Sequence, residues 1–153
     1  MKRFLVAVFV LASMVLVVGK ERSPEWNKVR KAHIKKHPAC ALCGSTKSVQ
    51  VHHIQPFHLH PELELESSNL ITLCTSKYWG VNCHIVAGHS GNFKLENNNV
   101  MEDVENLKEI VERTRCWKEG CMNNDEFLTY TKKMKKRTQK YMCETYNKCG
   151  KEK

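Results

Sequence analysis

Q-V-H-H-I-Q-P-F at Gln50–Phe57, S-N-L-I-T-L-C at Ser68–Cys74 and N-C-H at Asn82–His84 decide how this chain is read. Val49 to Ile54 alternates and is rich in β-branched residues, which predicts a strand ended by Pro56. Asn69 to Cys74 predicts a second strand. Asn82 predicts the cap of a short helix from Cys83 to Ala87 that Gly88 ends. The local order is strand, strand, short helix. It carries adjacent histidines, His52 and His53, and a third, His84, beside Cys83. C-A-L-C at Cys40–Cys43 makes a tight knuckle just upstream.

These residue types suit chemistry on phosphates. Hydrolysing a phosphodiester needs a base for the water, positive charge on the phosphate and leaving oxygen, and a surface for the backbone. His53 can be the base, because imidazole titrates near neutrality. His52 and His84 can hold one divalent ion, and His89 can add a third nitrogen. His89 is five residues after His84 and off the same α-helical face, so it joins only if Gly88 turns the chain back. A regular strand sends His52 and His53 to opposite faces. Both serve one site only if the strand twists or breaks, which Pro56 makes reasonable. The Asn69 amide can tie the histidine-bearing loop to the second strand. An imidazole-rich site without an obvious carboxylate favours zinc, nickel or manganese. Magnesium prefers oxygen ligands, but the phosphate supplies one and keeps it open.

V-H-H-I-x-P-F, S-N-L-I-T-L-C and C-H behind a C-x-x-C resemble the HNH endonuclease family in its double-His, phage-like form, over roughly Cys40 to Val100. The resemblance implies an α+β fold with a small ββα-metal (His-Me finger) core and flanking helices. It implies His53 as general base, Asn69 as the residue that orients it, and His52 and His84 as metal ligands, with His89 a looser match. It also implies a structural zinc on Cys40, Cys43, Cys74 and Cys83. The second knuckle departs from the family pattern, since eight residues separate Cys74 from Cys83. Four thiolates can still hold zinc with that loop bulging outward, while in an oxidising compartment the same thiols can pair as disulfides.

The rest of the chain frames this core. Lys and Arg number 25 against 16 Asp and Glu, a net charge of +9 that favours an anionic partner. Residues 1–19 read as a charged start and an apolar run from Phe4 to Val18, short for a membrane span of roughly 20 residues. The expectation is a cleaved signal ending at Gly19 and a secreted or periplasmic protein. An uncleaved membrane tether through residues 4–18 is the alternative, and a start at Met14 would leave the protein cytoplasmic. Ser23-Pro24-Glu25 predicts the start of a short basic helix that Pro38 stops.

Residues 20–100 form the expected nuclease domain and 101–153 a helical basic extension. In the extension, Val104, Leu107, Ile110 and Val111 predict one amphipathic helix. Asp125 predicts the cap of a last helix with Phe127, Thr131, Met134, Thr138 and Tyr141 on one stripe. Lys132, Lys133, Lys135, Lys136 and Arg137 on its other faces are candidates for nucleic-acid backbone contact, or else a solvated face. Cys116, Cys121, Cys143 and Cys149 predict two disulfides of unspecified pairing. His33, His37, His58 and His60 read as surface or core fillers, Trp26 and Trp79 as anchors, and Glu62, Glu64 and Glu66 as a solvated face.

The expected function is a metal-dependent DNA endonuclease with one catalytic divalent ion and a structural zinc, and no small-molecule substrate. The alternative is a secreted or membrane-tethered, zinc-stabilised nucleic-acid-binding module without catalysis.

Overall fold

The computed structural model describes residues 21–75, 81–114, 116 and 120–146. The apolar N-terminal segment, Cys149 and the loop holding Tyr78, Trp79 and Gly80 lie outside the described residues. Among the described residues no helix is long and apolar enough to cross a membrane.

Helix α1 spans Trp26–Lys36 and stops before Pro38 as expected. Its start differs from the sequence expectation. Ser23 is not the cap; Glu25 takes that position without a side-chain bond. The Ser23 N–H goes instead to the Glu64 carboxylate at 2.9 Å, and Pro24 and Glu25 form a turn ahead of the helix that the Trp26 N–H closes onto the Ser23 carbonyl.

Strands β1 (Val49–His53) and β2 (Leu70–Cys74) pair antiparallel, with His52 opposite Ile71 and His53 opposite Leu70. The intervening loop carries short 3₁₀ turns at Pro61–Leu63 and Ser67–Asn69. Strand β2 is buried at all five positions, because α1 and the turn that follows the sheet both pack on it. That explains its unbroken apolar run of Leu70, Ile71 and Leu73. The following turn, His84–Gly88, is π-helical. Asn82 caps it as expected, its Oδ1 accepting the Ile85 N–H at 2.9 Å.

Helix α2 spans Val100–Thr114 and helix α3 spans Asp125–Tyr146. The cap of α3 is Asn124 rather than Asp125. Its Oδ1 accepts the Phe127 N–H at 2.9 Å, the N3 amide that a capping side chain reaches. Phe127, Met134 and Thr138 of the expected stripe are buried. One apolar cluster runs from Cys40 and Leu42 through Leu73 to Val104, Leu107, Phe127 and Met134, so the sheet and the C-terminal helices share a core. Cys116 and Cys121 are disulfide-bonded across the link between α2 and α3. Cys143 is also disulfide-bonded.

Candidate active site

His52 and His53 are the last two residues of β1. Both line a cavity of about 410 Å³, with His84, His89, Arg22 and Phe57 also on its wall. The distortion expected between the two histidines is absent, since the ladder pairs regularly through His53. The strand ends there, and the cavity lies at that end, where side chains from both faces reach it.

The π-helical turn resolves the position of His89. Widening the turn to i→i+5 brings residues five apart into line, which an α-helix does not do. The rings of His84 and His89 stand 5.2 Å apart, and each is 5.0 Å from the ring of His52. One nitrogen from each of the three lies within 4.8 Å of the others. His52 Nδ1 and His84 Nε2 are 3.1 Å apart. Two ligands each about 2.05 Å from a tetrahedral ion would be about 3.3 Å apart. The Nδ1–H of His89 donates to the Leu95 carbonyl at 3.0 Å, leaving its Nε2 lone pair available. Buried His84 Nδ1 has no hydrogen-bond partner. Desolvation, with His89 and His84 close by, pushes His52 down to about 3, and burial beside His89 pushes His84 down to about 4. Neutral imidazoles are the form that binds metal. The three histidines therefore fit a divalent ion with nitrogen-rich coordination.

Gly88 ends the π turn directly over His52. A Cβ there would meet the imidazole at 3.0, 3.1 and 3.2 Å, so only glycine leaves the ring in place.

His53 points elsewhere. It stacks on Trp26, ring centroids 4.5 Å apart, and its Nε2–H donates to the Glu64 carbonyl at 3.0 Å. A carbonyl can only accept, so Nδ1 is the unprotonated nitrogen. Burial lowers His53 from its ordinary value, partly opposed by the bond to Glu64. Asn69, also buried, ties the loop after β1 to the start of β2. Its Oδ1 accepts the Gln55 N–H at 2.7 Å, and its Nδ2 donates to the carbonyls of Gln55 at 3.1 Å and Leu63 at 3.2 Å.

Glu64 corrects the sequence expectation of a solvated acidic face. Glu62 and Glu66 are exposed, but Glu64 is 4% exposed. Its carboxylate holds the Ser23 N–H and faces Arg22, and its carbonyl holds His53. Every-other-residue spacing suggested three equivalent acids. The 3₁₀ turn at Pro61–Leu63 breaks that equivalence by rotating Glu64 inward.

Cys40, Cys43, Cys74 and Cys83 converge, with one sulfur from each within 4.8 Å of the others, and none is disulfide-bonded. S–H bonds from Cys43 and Cys83 draw Cys40 well below the usual thiol range, and the same bonds push Cys43 and Cys83 up. Four sulfurs gathered this closely, mostly buried, fit a tetrahedral metal.

Lys132, Lys133, Lys135 and Lys136 lie exposed along α3. Arg137 does not join them. It is half-buried and paired at 2.5 Å with Asp103, which is fully buried. Of the expected fillers, His33 is buried, His37 is exposed, and His58 and His60 pair with Glu96 and Glu62. Trp26 anchors His53.

A two-stranded antiparallel sheet followed by a helical turn, with strand and turn histidines on one cavity, is compatible with a ββα-metal core. Residues 40–76 match the model of the HNH endonuclease family. The match takes in the knuckle, both strands, His52, His53 and Asn69, and ends before His84 and His89. No characterised protein and no solved structure matches the chain significantly.

Proposed function

We propose that the chain is a metal-dependent endonuclease that hydrolyses DNA phosphodiester bonds. The observation that carries the reading is the division of labour between adjacent histidines. His52 faces His84 and His89, while His53 is held by Glu64 with Nδ1 unprotonated on the same cavity. A module that only binds nucleic acid has no use for that arrangement.

His52, His84 and His89 would hold the catalytic ion, and Cys40, Cys43, Cys74 and Cys83 a structural zinc. The catalytic ion supplies Lewis-acid charge for the phosphate and the departing oxygen. His53 Nδ1 takes the proton of the attacking water, and the Glu64 carbonyl steadies the imidazolium that results. Asn69 fixes the Gln55 backbone and so the turn next to His53. The exposed lysines of α3 supply backbone contacts without sequence reading. DNA is the proposed substrate because the matched family acts on it and the chain carries an excess of nine positive charges.

Plasmid nicking by the full chain across magnesium, manganese, nickel and zinc is the test. His53→Ala is expected to abolish nicking while leaving metal binding and the fold intact, with a lower melting temperature from the lost stacking on Trp26 and bond to Glu64. An equally active variant refutes the proposal. Nucleic-acid retention with no cleavage under any ion would favour the binding-only alternative.

We further propose export through residues 1–19. Support comes from the Cys116–Cys121 disulfide and the disulfide of Cys143, which persist in oxidising compartments. A mature N-terminus at Lys20 in an extracytoplasmic fraction is the expected finding.

A further inference from the structure

Arg22 stands just ahead of α1 and belongs to neither cysteine nor histidine cluster. Its guanidinium lies over two aromatic faces, 5.0 Å from the Trp26 ring and 4.6 Å from that of Phe57. Trp26 is the ring on which His53 stacks. Glu64, which holds His53 through its carbonyl, faces Arg22 through its carboxylate, Oε1 to Nη1 3.5 Å. The side chain is 48% exposed and lines the cavity shared by His52, His53, His84 and His89. The Arg22 guanidinium is thus held between its aromatic neighbours, while a single long ion contact engages few of its five N–H donors. Arg137 makes the contrast, since its guanidinium is committed to Asp103 at 2.5 Å.

We infer that Arg22 binds a non-bridging oxygen of the nucleic-acid phosphodiester held in this cavity, and that Glu64 positions it. The inference rests on the nuclease reading for the occupant of the cavity. The chemistry fits, because a planar guanidinium matches two phosphate oxygens and needs no protonation event to stay charged. Stacking keeps the fork from swinging into solvent. The contact places positive charge on the side of the cavity carrying the base, apart from the three-histidine cluster. Glu64 then serves two groups at once, aligning His53 through its backbone and Arg22 through its side chain.

The test uses the full metal-loaded chain and Arg22→Met, which keeps an unbranched apolar side chain of similar reach beside the rings and removes the guanidinium. Plasmid nicking should lose roughly 10- to 100-fold in kcat/KM, the range for a charge-assisted hydrogen bond. Binding of a short DNA duplex, measured in the His53→Ala background so that no cleavage occurs, should show a salt slope shallower by about 0.9, the loss of one phosphate contact. A merely structural Arg22 would leave that slope unchanged. Wild-type kcat/KM in Arg22→Met, or an unaltered salt slope, overturns the assignment. A wild-type chain that binds duplex but nicks with no ion defeats the nuclease reading, and the salt slope still decides Arg22.

Discussion

Gly88→Ala should weaken the histidine site without touching any histidine. The added Cβ would sit 3.0 Å from His52 Cε1, 3.1 Å from Nδ1 and 3.2 Å from Nε2. Ordinary contact begins near 3.4 Å, so the ring must retreat by a few tenths of an ångström. It has little room, with the His84 and His89 rings each 5.0 Å away. The backbone at Gly88 needs no left-handed conformation, so the cost is steric alone. Overpacking of this kind costs about 1–3 kcal/mol. For a domain of this size that is a drop of roughly 3–10 °C in Tm. Ligand nitrogens held by packing lose roughly 10- to 100-fold in metal affinity when their support is disturbed. Cobalt titration followed by visible absorption reads the imidazole site, while thiolate–cobalt charge-transfer bands report the cysteine cluster separately. The expected result is weakened imidazole-site binding with an unchanged thiolate signal. Wild-type affinity in Gly88→Ala would show that the packing of Gly88 on His52 does not set the site.

Asn69→Ala removes three hydrogen bonds at a buried position and strands the Gln55 N–H, a cost of about 1–3 kcal/mol; chemical denaturation should show it, together with a fall in nicking. If Cys40, Cys43, Cys74 and Cys83 hold an ion as proposed, chelation should lower Tm markedly and free four thiols to a thiol reagent, and unchanged thiol counts before and after chelation would refute a thiolate-bound ion. His33 gives a pH prediction: burial, then His37 and Lys36, holds its imidazole below the ordinary 6.5, so the unfolded chain takes up the proton first. The stability present above pH 6.5 therefore declines as pH falls toward the depressed folded value, and His33→Gln should lose less stability than the parent between pH 7 and 5 in thermal melts.

The parts of the fold that show in the sequence are those set by short-range pattern. The apolar run of β2 and the Phe127, Met134 and Thr138 stripe each follow from burial on one element. The histidines and the four clustered cysteines were legible because their chemistry has few other uses at that spacing. What stayed hidden depended on contacts distant in sequence. Nothing near Glu64 announces that Ser23, 41 residues earlier, will supply an N–H to it. Arg137 reads like its lysine neighbours until Asp103, 34 residues away, claims it. His89 joins His52 and His84 as its sequence position allowed, but through a π turn that α-helical spacing does not announce. Gly88 signalled an end to the helix but not its contact with His52.

The C-terminal helices are better understood as a brace on the turn that carries His84 and His89 than as an appended basic arm. Asn97 donates from its Nδ2 to the Ala87 carbonyl within the π turn and to Asp103 on α2, both at 2.7 Å. Asp103 in turn accepts from Tyr130 and Arg137 on α3. Ser90, next to His89, is bonded to Thr138 of α3 at 2.8 Å. Through these bonds α2 and α3 hold the residues on either side of Gly88 and His89. A buried carboxylate stripped of such partners is costly, so the network fixes one arrangement and resists others. The same helix that turns Arg137 and Thr138 inward leaves Lys132, Lys133, Lys135 and Lys136 exposed. On the proposed reading, one helix therefore braces the turn carrying two of the three metal-binding histidines and offers charge to the backbone of the nucleic acid, which couples how the substrate is gripped to how the ion is held.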